Sequence, residues 1–145
     1  MSNLAISVDH LTIQFDSFKA VNDISFSVKK GEIFGFLGAN GAGKTTTIRV
    51  LCGLLEPTLG SVIVAGHNVI ENPTAIKKKV GYMSQKFTLY NDLTVEENFD
   101  FTAALRKLER KAYRQRRAEL CEFIEFDQPL NTPVHDLSGG TKQKV

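Results

Sequence analysis

The chain has 145 residues, of which 42% are hydrophobic and 23% are charged, and its formal net charge is +2. This composition is typical of a globular domain and excludes a disordered or fibrous protein. The net charge is too small to predict a nucleic-acid partner, and none is expected. Cys52 and Cys121 belong to no CxxC or Cys/His cluster. We therefore expect two packed thiols in a reducing compartment.

The N-terminus lacks a basic start followed by a long apolar stretch, so no export signal is predicted. The longest uncharged stretch, residues 33–43, is too short and too rich in glycine to cross a bilayer. Any membrane role is expected to come through a partner protein.

Apolar residues alternate with polar ones in two runs near the N-terminus, which predicts two half-buried strands in an antiparallel layer. The alternating residues are Leu11, Ile13 and Phe15 in the first run and Ile24, Phe26 and Val28 in the second. Residues 33–37 form a continuous apolar run, as in a strand that is covered on both faces. This run is the predicted central strand.

A glycine-rich loop follows the predicted central strand, and a helix follows the loop. The helix is indicated by apolar residues at helical spacing, namely Ile48, Leu51, Cys52 and Leu55. Residues 62–65 and 80–83 are predicted as two further strands.

Thr94 and Glu97 form a capping box, which predicts the start of a helical region over about residues 92–126. The predicted apolar stripe of this region consists of Phe101, Ala104, Leu105 and Leu108. The region is also rich in arginine and lysine, but glutamates offset the charge and few aromatic residues are interleaved. We therefore expect a solvated helix face there.

The loop matches the phosphate-binding pattern GxxxxGK[ST] and stands between a predicted strand and a helix, as this pattern requires. Its residues are Gly38, Ala39, Asn40, Gly41, Ala42, Gly43, Lys44 and Thr45. Glycines let successive N–H groups turn toward a phosphate, and the helix N-terminus adds its dipole. Lys44 is expected to neutralise the β- and γ-phosphates, and the Thr45 hydroxyl to bind Mg²⁺. The loop alone leaves kinases, GTPases, helicases and transport ATPases open.

A second motif indicates which of these classes of phosphate-loop protein the chain resembles. The residues Leu137, Ser138, Gly139 and Gly140, followed by Thr141, Lys142 and Gln143, resemble the LSGG signature of ABC ATPases. Alone, LSGG is also compatible with a serine-capped helix start. The resemblance extends over the whole chain. Around the phosphate loop, and over residues 82–101, it is greatest to ATP-binding subunits of bacterial ABC-2-type exporters, including multidrug pumps.

The resemblance implies an α/β fold, with a P-loop NTPase core sheet, an N-terminal antiparallel β layer and a helical subdomain that is incomplete at the C-terminus. Residues 1–145 would be a partial ATP-binding domain, divided into a core (1–91), a helical subdomain (about 92–136) and the start of the signature helix (137–145). ATP and Mg²⁺ are the expected cofactors.

The resemblance also assigns roles to single residues. Gln85 matches the catalytic glutamine of the Q-loop, which with Thr45 would contact the metal, and Thr46 would join the nucleotide site. Phe15 matches the aromatic residue that stacks on adenine, although Phe18 is a rival and core packing is an alternative for Phe15. Residues 137–140 would contact ATP bound to an opposite subunit.

The expected function is therefore that of an ATP-binding subunit that powers an ABC transporter, with export as the expected direction. Its partners would be ATP, integral membrane permease subunits and a second nucleotide-binding domain, in a homodimer or a heterodimer. The location would be cytoplasmic, peripheral on the inner face of the cell membrane. Two alternatives remain: a non-transport ABC ATPase acting on ribosomes or DNA, and a nonhydrolytic regulatory module.

The sequence ends at Val145, before the positions where the family has the Walker B aspartate, the catalytic glutamate and the switch histidine. We therefore expect a shortened form or an interrupted reading frame, which binds nucleotide weakly and does not turn it over. Thr141 departs from relatives that have a bulky residue or glutamine there, without disturbing the serine and glycine positions.

Overall fold

The computed structural model describes residues 3–84 and 88–145 and divides the chain into two units, Met1–Met83 and Ser84–Val145. The first unit contains β1 (Leu4–Phe15), β2 (Phe18–Lys29), α1 (Lys44–Leu51), β3 (Leu59–Val64), β4 (His67–Asn68) and α2 (Pro73–Lys79). The second unit contains α3 (Val95–Leu105), α4 (Arg110–Phe123), a 3-10 turn (Val134–Asp136) and α5 (Gly139–Lys144).

The four strands of the first unit form one antiparallel sheet in the order β2-β1-β3-β4. Strand β1 is central, and Val8 faces Phe26 of β2 on one side and Val62 of β3 on the other. The register shifts after Val8, where His10 has a positive φ of 50°. This layer confirms the antiparallel strands predicted from the alternating pattern.

The core of the first unit lies between the sheet and helices α1 and α2. Its buried side chains are Val8, Leu11, Ile13, Val21, Val50, Val62, Val64, Val69 and Ile76. Leu51 and Leu55 pack against this cluster and Cys52 is a buried free thiol, as the predicted apolar pattern requires. The helix itself ends at Leu51, so Cys52 and Leu55 follow α1, and the residues that α1 buries are Thr47 and Val50. Cys121 is also a free thiol and is half-buried.

Two segments predicted as strands, residues 33–37 and 80–83, belong to no strand in the described chain. Ile33 is fully exposed and Leu37 is 94% exposed. A strand requires a neighbour that satisfies its N–H and C=O groups, and no described residue pairs with either segment. These two strand predictions are therefore wrong here, whereas the α/β fold class is confirmed.

The second unit is built around α3. The capping box is present, because the Glu97 N–H donates to the Thr94 hydroxyl and the Glu97 carboxylate accepts from the Thr94 N–H. The core consists of Val95, Val134 and Leu137.

The apolar stripe predicted for α3 does not form its buried face. Phe101, Leu105 and Leu108 are exposed, and α3 ends before Leu108. The residues that α3 buries are Val95, Asn98 and Ala103. The prediction was wrong because the hydrophobic pattern does not show which side of a helix has a packing partner, and because one of the buried positions, Asn98, is polar.

Candidate functional site

The segment that leads into the phosphate loop is held by aromatic rings. Phe34 stacks on Phe26 of β2 with ring centroids 5.3 Å apart, and Phe36 lies 5.5 Å from the same ring. The loop then continues as irregular backbone to Gly43, and α1 begins at Lys44. Aromatic packing, rather than sheet hydrogen bonding, therefore holds this segment on the first unit.

Gly43 is the position of the loop that tolerates no side chain. Its φ is 80°, and a Cβ would lie 2.3 Å from the Ala20 carbonyl oxygen and 2.9 Å from Val21 Cγ2. Both neighbours belong to β2, so the loop lies directly against the sheet. The buried Thr47 hydroxyl donates to the Gly43 carbonyl at 3.0 Å and fixes the loop to α1.

The N-terminus of α1 is free to receive an anion. Gly43 is the N-cap residue and supplies no side-chain hydrogen bond, and the first turn carries no acidic residue. The first N–H groups of a helix have no partner within the helix and bear partial positive charge. A phosphate group can accept hydrogen bonds from these N–H groups, and its negative charge is attracted to their partial positive charge.

Lys44 places a mobile cation over the loop. Its Nζ atom donates to the carbonyl oxygens of Gly38 and Ala39, each at 2.7 Å. Two carbonyl groups are neutral partners, and phosphate oxygens form stronger, charge-assisted bonds with an ammonium group. The lysine is thus already bent across the glycine-rich loop, where it can exchange these carbonyls for an anion.

The two threonines after Lys44 differ in exposure. Thr45 is exposed, and its hydroxyl has no hydrogen-bond partner among residues 3–84 and 88–145, whereas Thr46 is half-buried. A free hydroxyl on the first helical turn, next to the lysine, is a suitable ligand for a hard cation such as Mg²⁺. Gln85, the other predicted metal contact, lies outside the described residues.

Phe15 and Phe18 face each other at the β1–β2 hairpin. Phe15 is 48% exposed and Phe18 is 64% exposed, so neither is a core residue. Both rings are therefore available for stacking on a planar ligand.

The LSGG segment is the start of α5. Leu137 is buried, and Ser138 is the N-cap residue, whose hydroxyl accepts from the Thr141 N–H at 3.1 Å. A Cβ on Gly139 or Gly140 would meet no atom within 4 Å, so both glycines border open space. The serine-capped helix start is thus formed, and bare glycine backbone follows it.

Thr141 is a contact that the sequence analysis missed. Its hydroxyl lies 2.8 Å from the Ser138 hydroxyl, so the two side chains share a hydrogen bond. The available signal was its position three residues after an N-cap serine, where side chains commonly reach back to the cap. The phosphate loop belongs to the first unit and this segment to the second.

A family model described as "ABC transporter" matches residues 21–145 of the chain. The chain belongs to the ABC transporter family. Membership implies nucleotide binding, which agrees with the phosphate loop and the LSGG segment described above.

Relatives within the ABC transporter family include proteins named for different directions of transport. The "Probable multidrug ABC transporter ATP-binding protein YbhF" of Escherichia coli (strain K12) is 39% identical over 140 residues, which cover 97% of this chain and 24% of the relative. The "Spermidine/putrescine import ATP-binding protein PotA" of Thermotoga maritima is 35% identical over 140 residues, or 97% of this chain and 38% of the relative.

A solved "Structure of ATP binding subunit of ABC transporter" matches with a TM-score of 0.82 and 29% identity, and it covers 97% of this chain and 58% of that one. The chain thus spans a quarter to two fifths of the two curated relatives and under two thirds of the solved structure. Within the described residues, every helix is too short or too polar to cross a bilayer.

Proposed function

We propose that this chain binds ATP and that the whole protein hydrolyses ATP to power an ABC transporter that exports its substrate. The observation that carries the proposal is Lys44, bent over a glycine-rich loop at an uncapped helix N-terminus. Family membership adds transport as the purpose of ATP binding.

We assign the binding of each part of the nucleotide to a different set of residues. The loop N–H groups and Lys44 bind the phosphates, and Phe15 stacks on adenine, with Phe18 as its rival. Thr45, together with Gln85, would hold Mg²⁺, which supplies charge neutralisation at the phosphates when bound. The exposure of Thr45, whose hydroxyl has no hydrogen-bond partner among the described residues, supports this role.

The LSGG segment is proposed to serve a second subunit. Ser138 and the two glycines would contact the γ-phosphate of ATP held by the phosphate loop of a partner domain, in a homodimer or a heterodimer. The open space beside Gly139 and Gly140 supports contact with a group from outside the chain. Permease subunits would hold this dimer on the inner face of the cell membrane.

Export is proposed on the similarity to YbhF, whose name describes a multidrug transporter. Import is the opposite outcome, because PotA is named for import. With the whole protein and its permease in vesicles whose ATP-binding side faces outward, export predicts ATP-dependent uptake of the transported compound into the lumen. ATP-dependent uptake only in vesicles of the opposite orientation, with ATP enclosed, would establish import.

The central test is the Lys44→Ala variant. We expect binding of a fluorescent ATP analogue to weaken by about tenfold or more, because charge-assisted hydrogen bonds to phosphate are lost. Lys78→Ala is the matched control, since it removes a lysine from the exposed end of α2. Equal affinity of Lys44→Ala and the unmodified chain, with both shown to be folded, would refute the proposal.

A second test separates the two aromatic candidates. Phe15→Ala is expected to weaken binding of the adenine nucleotide by about 1–3 kcal/mol, the range for loss of a base-aromatic stack, and to leave binding of inorganic triphosphate nearly unchanged. Phe18→Ala is the control from the same hairpin. A larger selective loss in Phe18→Ala would transfer the stacking role to Phe18.

A further inference from the structure

A cavity of about 610 Å³ lies in the second unit between α3 and α4. Its charged lining consists of Glu96 and Asp100 from α3 and Arg110, Arg114 and Arg117 from α4. Three guanidinium groups therefore face two carboxylates. The volume is within the usual range for a small-molecule site.

Both carboxylates already have partners on α4. Glu96 Oε1 accepts from Arg117 Nη1 at 2.5 Å, and Asp100 Oδ1 accepts a hydrogen bond from the Tyr113 hydroxyl. Arg117 also lies over the Tyr113 ring, with its Cζ atom 5.4 Å from the ring centroid. The Arg117–Glu96 ion pair neutralises one carboxylate and one of the three arginines, whereas Asp100 keeps its negative charge and is hydrogen-bonded by a neutral hydroxyl. Two arginine charges therefore stand against one carboxylate charge in the cavity.

Arg110 and Arg114 remain unused. Neither makes a hydrogen bond or an ion pair with any residue that the structure describes, although both line the cavity. Residues four apart on a helix lie on the same face, about 6 Å apart at their Cβ atoms. Each guanidinium offers up to five N–H donors in a planar fork that matches two oxygens of one anion.

The start of α4 adds to this positive region. Glu109 is the N-cap residue but makes no side-chain capping bond, so the cap itself leaves the first N–H groups of the helix without a side-chain acceptor. Arg110 is the first helical residue, and Leu108, two residues earlier, also lines the cavity. The partial positive charge at the N-terminus of α4 therefore adds to the positive charge of the two arginines.

We propose that Arg110 and Arg114 form a binding site for the oxyanion group, phosphate or carboxylate, of a small molecule. The site is independent of the phosphate loop, whose residues belong to the other unit. Tyr113 and Arg117 link α4 to α3 beside the cavity, and Arg110 and Arg114, which have no partner among the described residues, remain at its lining.

A titration of the 145-residue chain followed by NMR tests the site. The probes are inorganic phosphate, pyrophosphate and succinate, each added at constant ionic strength against sodium chloride. Saturable shifts of the Arg110 and Arg114 Nε–H signals and of the Tyr113 ring are expected. The glycine signals of the phosphate loop serve as a separate reference, because phosphates are also expected to bind there. Shifts with phosphates only, or with succinate only, identify the source of the oxyanion.

The double variant Arg110→Gln/Arg114→Gln is expected to weaken these Tyr113 shifts at least about tenfold, while the response of the phosphate loop is unchanged. Lys111→Gln is the matched control, since it removes a charge from the same helix turn without altering the cavity lining. No saturable shift with any probe, or an equal loss in Lys111→Gln, would overturn the site. In the unmodified chain, the absence of any phosphate response from the loop glycines, with the Arg110 and Arg114 response present, would instead contradict the proposed ATP site.

Discussion

The two units of the molecule are each stabilised internally by a different kind of contact. The first unit buries nine apolar side chains in one cluster. Among the described residues, the corresponding cluster of the second unit contains three buried apolar side chains, and none of the residues of α4 is buried. Polar contacts supply the links in the second unit, through the buried amide of Asn98 and the pairs that join α3 to α4.

This difference has an energetic consequence. Burial of apolar surface is non-directional and is shared among many neighbours, whereas a buried hydrogen bond depends on single atoms in one geometry. The stability of the first unit should therefore depend mainly on the volume of its buried side chains. The stability of the second unit should depend mainly on individual hydrogen-bond donors and acceptors.

The largest effect is expected from Ile76→Ala in the first unit. Ile76 is fully buried in the core, so the cavity left behind should cost about 2–5 kcal/mol of unfolding free energy. Ile70, which is 49% exposed, provides the control, and Ile70→Ala should change stability by less than about 0.5 kcal/mol. Amide hydrogen exchange measures each unit separately. Similar losses at both positions would contradict an apolar core in this unit.

A smaller but directional effect is expected from Asn98→Ala in the second unit. The Asn98 side chain accepts from the Tyr90 N–H at 2.8 Å and donates to the carbonyls of Tyr90 and Thr94 at 3.1 and 2.9 Å. Its removal leaves these groups unpaired and should cost about 1–3 kcal/mol.

Asn91→Ala is the control for this prediction, because Asn91 is exposed and its side chain makes no hydrogen bond with another described residue. Hydrogen exchange of the amides of α3 is the measurement. Asn98→Leu should also destabilise the unit. An increase in stability for that variant would show that apolar burial, rather than the hydrogen bonds, governs α3.

A still smaller loss of unfolding free energy is expected when the capping box is disrupted. Thr94→Ala removes the hydroxyl that accepts from the Glu97 N–H and should cost about 1 kcal/mol, whereas Thr94→Ser should retain most of the stability. Hydrogen bonds from Thr94, from its N–H first and its hydroxyl second, lower the pKa of Glu97. This contribution is present above the ordinary glutamate pKa and is lost as pH falls through the lowered value. Titration of the Glu97 carboxyl by NMR in both variants measures the change.

Local patterns in the sequence predicted the features that depend on neighbours along the chain. The alternation in β1 and β2, the glycine-rich loop and the Thr94 capping box are of this kind. The strand predicted over residues 33–37 failed because a strand depends on a partner that its own residues do not specify.

The polar links of the second unit could not be predicted for a related reason. Asp100 and Tyr113 are 13 positions apart, and Glu96 and Arg117 are 21 apart. In the sequence, both arginine and glutamate were typical of a solvated helix face. Only the packing of α3 beside α4 distinguishes Arg117, which is paired, from Arg110 and Arg114, which have no partner in the described part of the chain.

The smallest effect is expected from a polar link on the surface of the first unit. His10 Nδ1 lies 2.6 Å from Asp23 Oδ1, and both side chains are exposed. The hydrogen bond with Asp23 raises the pKa of His10 above its ordinary value, and the charges of Asp23 and then Asp9 add to this effect. The charged imidazolium is therefore favoured in the folded protein.

The sign of the resulting pH dependence follows from this direction. The contribution is fully present below the ordinary histidine pKa of about 6.5, and it is lost as pH rises through the raised pKa of the folded state. Asp23→Asn should return the pKa of His10 toward 6.5 and remove this part of the pH dependence. Asparagine is a suitable replacement because Asp23 has a φ of 50°, which asparagine tolerates well.

Two measurements test this prediction together. NMR titration of the His10 ring gives its pKa in both proteins, and urea unfolding at pH 5.5 and pH 8 gives the stability difference. Because an exposed pair is screened by solvent, the urea midpoint should shift less here than in Thr94→Ala. A His10 pKa that is the same in both proteins would show that Asp23 does not stabilise the imidazolium. A shift as large as that of Asn98→Ala would mean that polar links are as important in the first unit as in the second.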